Sequence, residues 1–262
     1  MTDFLDILAN ESNQRTRDGY YNVSSRIERE PFSLVDAIKS CKHIPVVAEI
    51  KSHSPSLGRI RDEIDPKKIA TALKNGGAVG ISVITEPNRF EGSLQLLHEV
   101  RETVDLPILM KDIVTNAIQV EAASKLGADT ILLISALFER GYCQPSLNDM
   151  IKLTQSSRLE VLLETHTKEE FLRALDTDAE IIGINNRDLR DLSIDVEQAY
   201  RILSDCRPNE KTVIIESGIQ ERKDLDRLLK VGADAFLIGS SIMKAKDVES
   251  KVKELTTIHE NS

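Results

Sequence analysis

Leu106-Pro107-Ile108-Leu109-Met110-Lys111-Asp112 is a short apolar run that closes on a cation. Earlier in the chain, Val46-Val47-Ala48-Glu49-Ile50-Lys51 does the same, with a carboxylate and an amine two residues apart. Strands that repeatedly end in charge mark a parallel barrel whose strand ends build an active site. Working outward, further apolar runs recur at Val79–Thr85, Thr130–Ser135, Glu160–Glu164, Ile181–Asn185, Thr212–Glu216 and Ala235–Gly239. Most are nearly continuous, as expected of parallel strands covered on both faces.

Helical patterns fill the gaps. Asp65-Pro66-Lys67-Lys68-Ile69-Ala70 has an Asp N-cap with proline at the first helical position. Asn75-Gly76-Gly77, Leu126-Gly127-Ala128-Asp129 and Val231-Gly232-Ala233-Asp234 read as glycine-terminated helix ends. The alternation predicts an α/β fold, a (β/α)8 TIM barrel with an N-terminal helical extension. A doubly wound open sheet is the rival, but no glycine-rich dinucleotide turn follows the first strand. Phe4–Ala9 and Phe32–Ile38 are amphipathic, so helices are expected before the barrel, covering one mouth.

The chain has 262 residues, near the roughly 250 typical of one such barrel. No linker interrupts it, so one domain is expected over 1–262, with the extension at 1–44 and the barrel at 45–262. Its formal net charge of −9 argues against nucleic acid or an anionic membrane as partner. A small anionic substrate remains compatible, because a few cations in a cleft override a global field. Cys41, Cys143 and Cys206 lack metal spacing and are odd in number, which fits a reducing cytoplasm. Met1-Thr2-Asp3-Phe4-Leu5-Asp6 is acidic and does not read as a secretory signal. No run has the length of a membrane span.

Side chains near the C-terminal ends of barrel strands share one mouth. The first strand supplies Glu49 and Lys51, the third Lys111, the fifth Glu164, the sixth Asn185 followed by Arg187, and the seventh Glu216. Any one of these alone reads as a solvated strand end. Together, three carboxylates, two lysines, an arginine and an asparagine are hard to explain as packing, since unpaired burial is costly. As a cluster they shift one another's pKa values and can serve as acids and bases. Ser217-Gly218 and Gly239-Ser240-Ser241 follow the last two strands, the usual phosphate position of this architecture. Ser54, in the polar loop after the first strand, is a further phosphate candidate, and the adjacent His53 reads as a solvated loop residue. The five histidines are scattered without ligand spacing, so no metal site is expected.

The residues Glu49-Ile50-Lys51-Ser52-His53-Ser54-Pro55-Ser56, Ile84-Thr85-Glu86 with Phe90-Glu91-Gly92-Ser93, and Pro107–Asp112 resemble the indole-3-glycerol phosphate synthase family. The likeness continues through Leu163-Glu164, Gly183-Ile184-Asn185-Asn186-Arg187-Asp188-Leu189, Glu216-Ser217-Gly218-Ile219 and Leu237-Ile238-Gly239-Ser240-Ser241. It thus runs from the first strand to the last. It implies an enzyme of tryptophan biosynthesis that uses neither cofactor nor metal. The implied reaction is ring closure, decarboxylation and dehydration of 1-(2-carboxyphenylamino)-1-deoxyribulose 5-phosphate.

The resemblance also implies roles. Lys111 matches the general acid, Lys51 shares the acid chemistry, Glu164 is the base and Glu49 stabilises charge. Asn185 and Glu216 line the ring and hydroxyl side. Ser54, Ser217, Gly218, Gly239 and Ser240 hold the phosphate. Phe90 closes over the ring, and Arg187 pairs with the substrate carboxylate or organises neighbouring carboxylates. Ile113 stands where the family often has phenylalanine, and Ser52-His53 where it often carries lysine; neither touches an acid or base. A monomer or homodimer is expected. The alternatives are another phosphosugar barrel, either an isomerase such as phosphoribosylanthranilate isomerase or an aldolase with Lys111 as Schiff base, and a barrel that only binds phosphometabolites.

Overall fold

The eight expected strands pair in chain order into a closed, all-parallel barrel in a computed structural model describing residues 2–62, 64–206 and 210–258. The ends of the expected domain, residue 1 and residues 259–262, lie outside that description. The first barrel strand is β1 (Val46–Ile50), and a small antiparallel hairpin follows it, β2 (His53–Ser54) with β3 (Gly58–Arg59). The barrel continues through β4 (Gly80–Ile84), β5 (Ile108–Lys111), β6 (Thr130–Ile134), β7 (Glu160–Thr165), β8 (Ile181–Asn185), β9 (Thr212–Glu216) and β10 (Ala235–Ile238). Strand β10 closes on β1, with Val46 opposite Phe236. Every barrel strand lies within two residues of its apolar run at each end.

Two helices precede the barrel, α1 (Phe4–Arg17) and α2 (Leu34–Ser40). The βα connections carry α3 (Pro66–Asn75), α4 (Leu94–Arg101), α5 (Ala117–Lys125), α6 (Ser135–Glu139), α7 (Leu147–Ser156), α8 (Lys168–Leu175), α9 (Gln198–Asp205) and α10 (Arg222–Leu229), and α11 (Ser240–Met243) and α12 (Val248–Thr256) follow the last strand. The Asp65 carboxylate caps α3 by accepting the Lys68 N–H, as the Asp-Pro start predicts.

Side chains alternate between two cores, because successive residues of a strand face opposite ways. Val46, Ala48, Ile50, Ile81, Val83 and their counterparts pack outward against the helices. Val47, Leu109, Leu132, Leu162, Ile181, Ile214 and Leu237 fill the barrel interior. That inner cluster extends to Leu34 and Ile38 of α2 and to Leu5, Leu8 and Ala9 of α1.

The expectation that the N-terminal helices cover one mouth needs correction. Helix α2 closes the N-terminal end: the Glu160 carboxylate, at the start of β7, accepts Ser33 Oγ at 2.5 Å and Leu34 N at 2.7 Å. Helix α1 lies at the opposite end, where Ser12 Oγ donates to Ile113 O at 2.5 Å and Arg140 pairs with Asp3 and Asp6. The chain between them runs down the barrel flank. It is tied by Ile27 N to Lys125 O at 2.9 Å and by Arg29 to Asp129 at 2.7 Å. Amphipathicity shows that a helix has a face to bury; it does not show which end of a barrel will receive it.

Candidate active site

Glu49, Lys111, Glu164 and Glu216 come from β1, β5, β7 and β9, which are alternate strands around the barrel. Alternate strands contribute to the same interior layer. One ammonium therefore meets three carboxylates: Lys111 Nζ lies 2.6 Å from Glu216, 3.7 Å from Glu164 and 3.8 Å from Glu49. Lys51 adds a second ammonium, 2.8 Å from Glu49 Oε1. The three carboxylates are all buried, at 1 to 4% exposure.

Glycines on and just after the intervening strands make room for this layer. A Cβ at Gly183 of β8 would lie 2.6 Å from Glu216 Oε1, and one at Gly239 would lie 2.7 Å from Glu49 Oε1. Glu216 Oε1 is buried without a hydrogen-bond partner among the described residues.

The layer is short of positive charge, and its titration reflects that. Burial alone would lower the Lys111 pKa, but Glu216, Glu49 and Glu164 together hold it well above the ordinary amine range. Burial would raise Glu49, yet Lys51 and Lys111 hold it below the usual carboxylate value. Glu216 is pushed up to about 7, by burial first and by Glu164 and Glu49, against the pull of Lys111. With three carboxylates and two ammonium groups in the layer, and Arg187 acting from beside it on Glu49 alone, the surplus negative charge is felt at Glu216, which takes up a proton.

All the site residues expected from sequence line one cavity of about 290 Å³ at the C-terminal end of the barrel. These are Glu49, Lys51, Ser54, Phe90, Lys111, Glu164, Asn185, Arg187, Glu216, Ser217, Gly218, Gly239 and Ser240. At one side, Ser217 and Gly218 are successive left-handed residues, φ +67° and +78°. For serine that conformation costs of order 1–3 kcal/mol, a strain typical of functional turns. Gly239 caps the short helix α11 beside them. Asn185 Oδ1 accepts the Arg187 N–H at 2.9 Å.

The hydrogen bonds of the Arg187 guanidinium among the described residues go to a hydroxyl and a carbonyl rather than to a carboxylate. Its Nη1 donates to Ser56 Oγ at 2.8 Å and to Leu192 O at 2.9 Å, joining the loops after β1 and β8. Burial lowers its pKa, with Glu49 opposing. His53 does not line the cavity; its Nδ1 is 2.9 Å from Arg89 O, on the hairpin.

Several lining residues were not singled out from sequence. Lys244 falls four residues after Ser240, one helical turn beyond the glycine-serine pair, and that spacing was the available signal. Leu57, Leu192 and Ile194 form an apolar rim that no motif announces.

Fold and site together define a (β/α)8-barrel enzyme with a charged acid-base layer. The family model for "Indole-3-glycerol phosphate synthase" matches residues 6–255. Indole-3-glycerol phosphate synthase of Sulfurimonas denitrificans is 38% identical over 88% of this chain and 86% of its own. The Haloarcula marismortui protein of the same name is 41% identical, over 88% and 85%. Among solved structures, N-acetylmannosamine-6-phosphate 2-epimerase of Clostridium perfringens aligns with a TM-score of 0.60 over 83% of this chain and 93% of that one; at 16% identity it shares the fold. The chain belongs to the indole-3-glycerol phosphate synthase family, carboxy-lyases of tryptophan biosynthesis.

Proposed function

We propose that the Lys111 layer carries out the family's three steps on 1-(2-carboxyphenylamino)-1-deoxyribulose 5-phosphate. The supporting observation is one ammonium held charged inside a ring of three carboxylates. In the first step the ring carbon bearing the carboxylate attacks the ketone carbon, and the ketone oxygen takes a proton from Lys111. Loss of carbon dioxide returns the bonding electrons to the ring. The new hydroxyl then leaves as water, with a proton supplied by Lys51, while Glu164 removes a proton from the former methylene carbon. Glu49 couples the two amines, and Asn185 and Glu216 hold the hydroxyl side.

Ser54, Ser217, Gly218, Gly239 and Ser240 bind the phosphate, with Lys51 and Lys244 supplying charge. Phe90 covers the ring. Arg187 uses only Nη1 among the described residues, which leaves Nε and Nη2 for the substrate carboxylate. The extension and the barrel act as one unit over 1–262. The protein works in the cytoplasm, as a monomer or homodimer, which its three free cysteines suit. Among the described residues, no helix is long and apolar enough to cross a membrane.

The test is to supply the substrate to folded protein and follow indole fluorescence. Steady turnover is expected; folded protein without turnover would refute the assignment. Borohydride trapping of a covalent adduct at Lys111 would favour the aldolase instead.

A further inference from the structure

Arg15 belongs to α1, outside the barrel, yet it is only 6% exposed. Its Nη1 donates to Glu86 Oε1 at 2.8 Å, and its Nη2 stands 3.6 Å from Asp112 Oδ1. Both acids are buried, and both line the active-site cavity. Each holds a different part of it. The Glu86 carboxylate accepts the backbone N–H groups of Asn88 at 3.1 Å, Arg89 at 2.6 Å and Phe90 at 3.0 Å, so it shapes the turn that carries Phe90. Asp112 follows Lys111 directly. It accepts Thr85 Oγ1 at 2.6 Å, Tyr21 Oη at 3.1 Å and the Ile113 N–H at 2.7 Å, so it fixes the end of β5.

We propose that Arg15 is a positioning residue of the active site, one guanidinium fastening the Phe90 turn and the Lys111 strand end to the same helix. A second tie supports this. Glu11, one turn earlier on α1, pairs with Arg89 in the same Phe90 turn. Tyr20 adds a third, donating from its hydroxyl to Thr85 O at 3.0 Å, between Glu86 and the strand that precedes it. Without Arg15, two buried carboxylates lose the guanidinium that joins them, and they must move apart or take up a proton. Either response shifts the Lys111 ammonium or the aromatic wall relative to the substrate. The inference rests on the catalytic reading of Lys111 and the ring-binding reading of Phe90.

The experiment compares Arg15→Met, Arg15→Lys and Arg29→Met with wild type, reading kcat and KM at a temperature below every unfolding transition, and the unfolding temperature of each protein separately. Arg29 ties the same N-terminal segment at the far end of the barrel, so its variant reports loosening of that segment alone. Arg15→Met is expected to lower kcat roughly 100-fold, because small displacements of reacting groups cost that much. Arg15→Lys keeps the charge but loses the two-pronged reach, and is expected to recover part of kcat. Arg29→Met is expected to lose unfolding temperature with kcat within about threefold of wild type.

Arg15→Met with near-normal kcat, or the two methionine variants losing kcat in proportion to their loss of stability, would overturn the inference. Should Arg15→Met fail to fold, Arg15→Lys decides: wild-type kcat would overturn it, and a lowered kcat in a folded protein would uphold it. Absence of turnover in wild type would instead remove the catalytic reading, and the inference with it.

Discussion

The two ends of this barrel treat buried charge in opposite ways. At the C-terminal end, three carboxylates share two ammonium groups, and one oxygen of Glu216 is left without a partner. At the N-terminal end, the most deeply paired carboxylate, Asp129, is held from every side. It accepts Arg29 Nη1 at 2.7 Å, Arg101 Nη1 at 3.0 Å, Phe32 N at 2.7 Å and Ile108 N at 2.9 Å. The Phe32 ring packs beneath both guanidinium groups, 4.5 and 5.2 Å from its centre. A carboxylate with all its lone pairs taken by donors is held in place, and serves to latch the chain. A layer with a surplus negative charge has a proton to gain and to give. Two clusters of similar burial thus do different work because one is compensated and the other is not.

Three substitutions can break this contrast. Lys111→Ala has the largest expected effect: kcat should fall by about 10³-fold, within the range of general acid catalysis. Single-turnover indole fluorescence measures it, and a near-normal rate would remove Lys111 from the acid role. Asp129→Asn should do the reverse. Loss of the anion strands two guanidinium groups, so unfolding free energy should drop by about 3 kcal/mol in urea titrations. Its kcat should stay within about threefold; a large catalytic loss would show that the two ends are not separable.

The smallest effect is a pH dependence. In the folded protein Glu216 titrates near 7, above its ordinary value of 4.5. The folded state therefore keeps a proton that the unfolded chain has released, and wild type loses stability as pH rises from about 4.5 through about 7. Glu216→Gln cannot lose that proton. The unfolding temperature of the variant minus that of wild type should grow from pH 5 to pH 8. A constant difference across that range would mean that the layer carries no surplus charge.

Much of the C-terminal end of the barrel is legible in the sequence. Period-two alternation turns Glu49, Lys111, Glu164 and Glu216 inward once their strands are recognised, and barrel closure then brings them together. The glycine-serine pairs were legible for the same reason: they follow strands whose ends must converge. What escaped depends on contacts distant in sequence. Ser12 meets Ile113, and Arg29 meets Asp129, about a hundred residues away in each case. No local pattern encodes such a pairing. Arg187 is instructive because its residue type was noticed and its partner was not. Its bond to Ser56 exists only because two loops fold toward each other over the mouth. The β2–β3 hairpin was equally hidden, since two residues per strand leave no periodicity to read.

The flank segment between α1 and α2 is fastened at both extremities, by Arg15 at the top and by Arg29 at the bottom. A chain pinned at two points behaves as a ruler. Its contour length must at least span the path along the barrel, so residues removed between Gly19 and Pro31 would draw the two anchors toward each other. Added residues would only bow outward into solvent. The spacing of two arginines, together with the Tyr20 and Tyr21 hydroxyls that anchor the stretch between them, then sets how the mouth of the barrel keeps its shape.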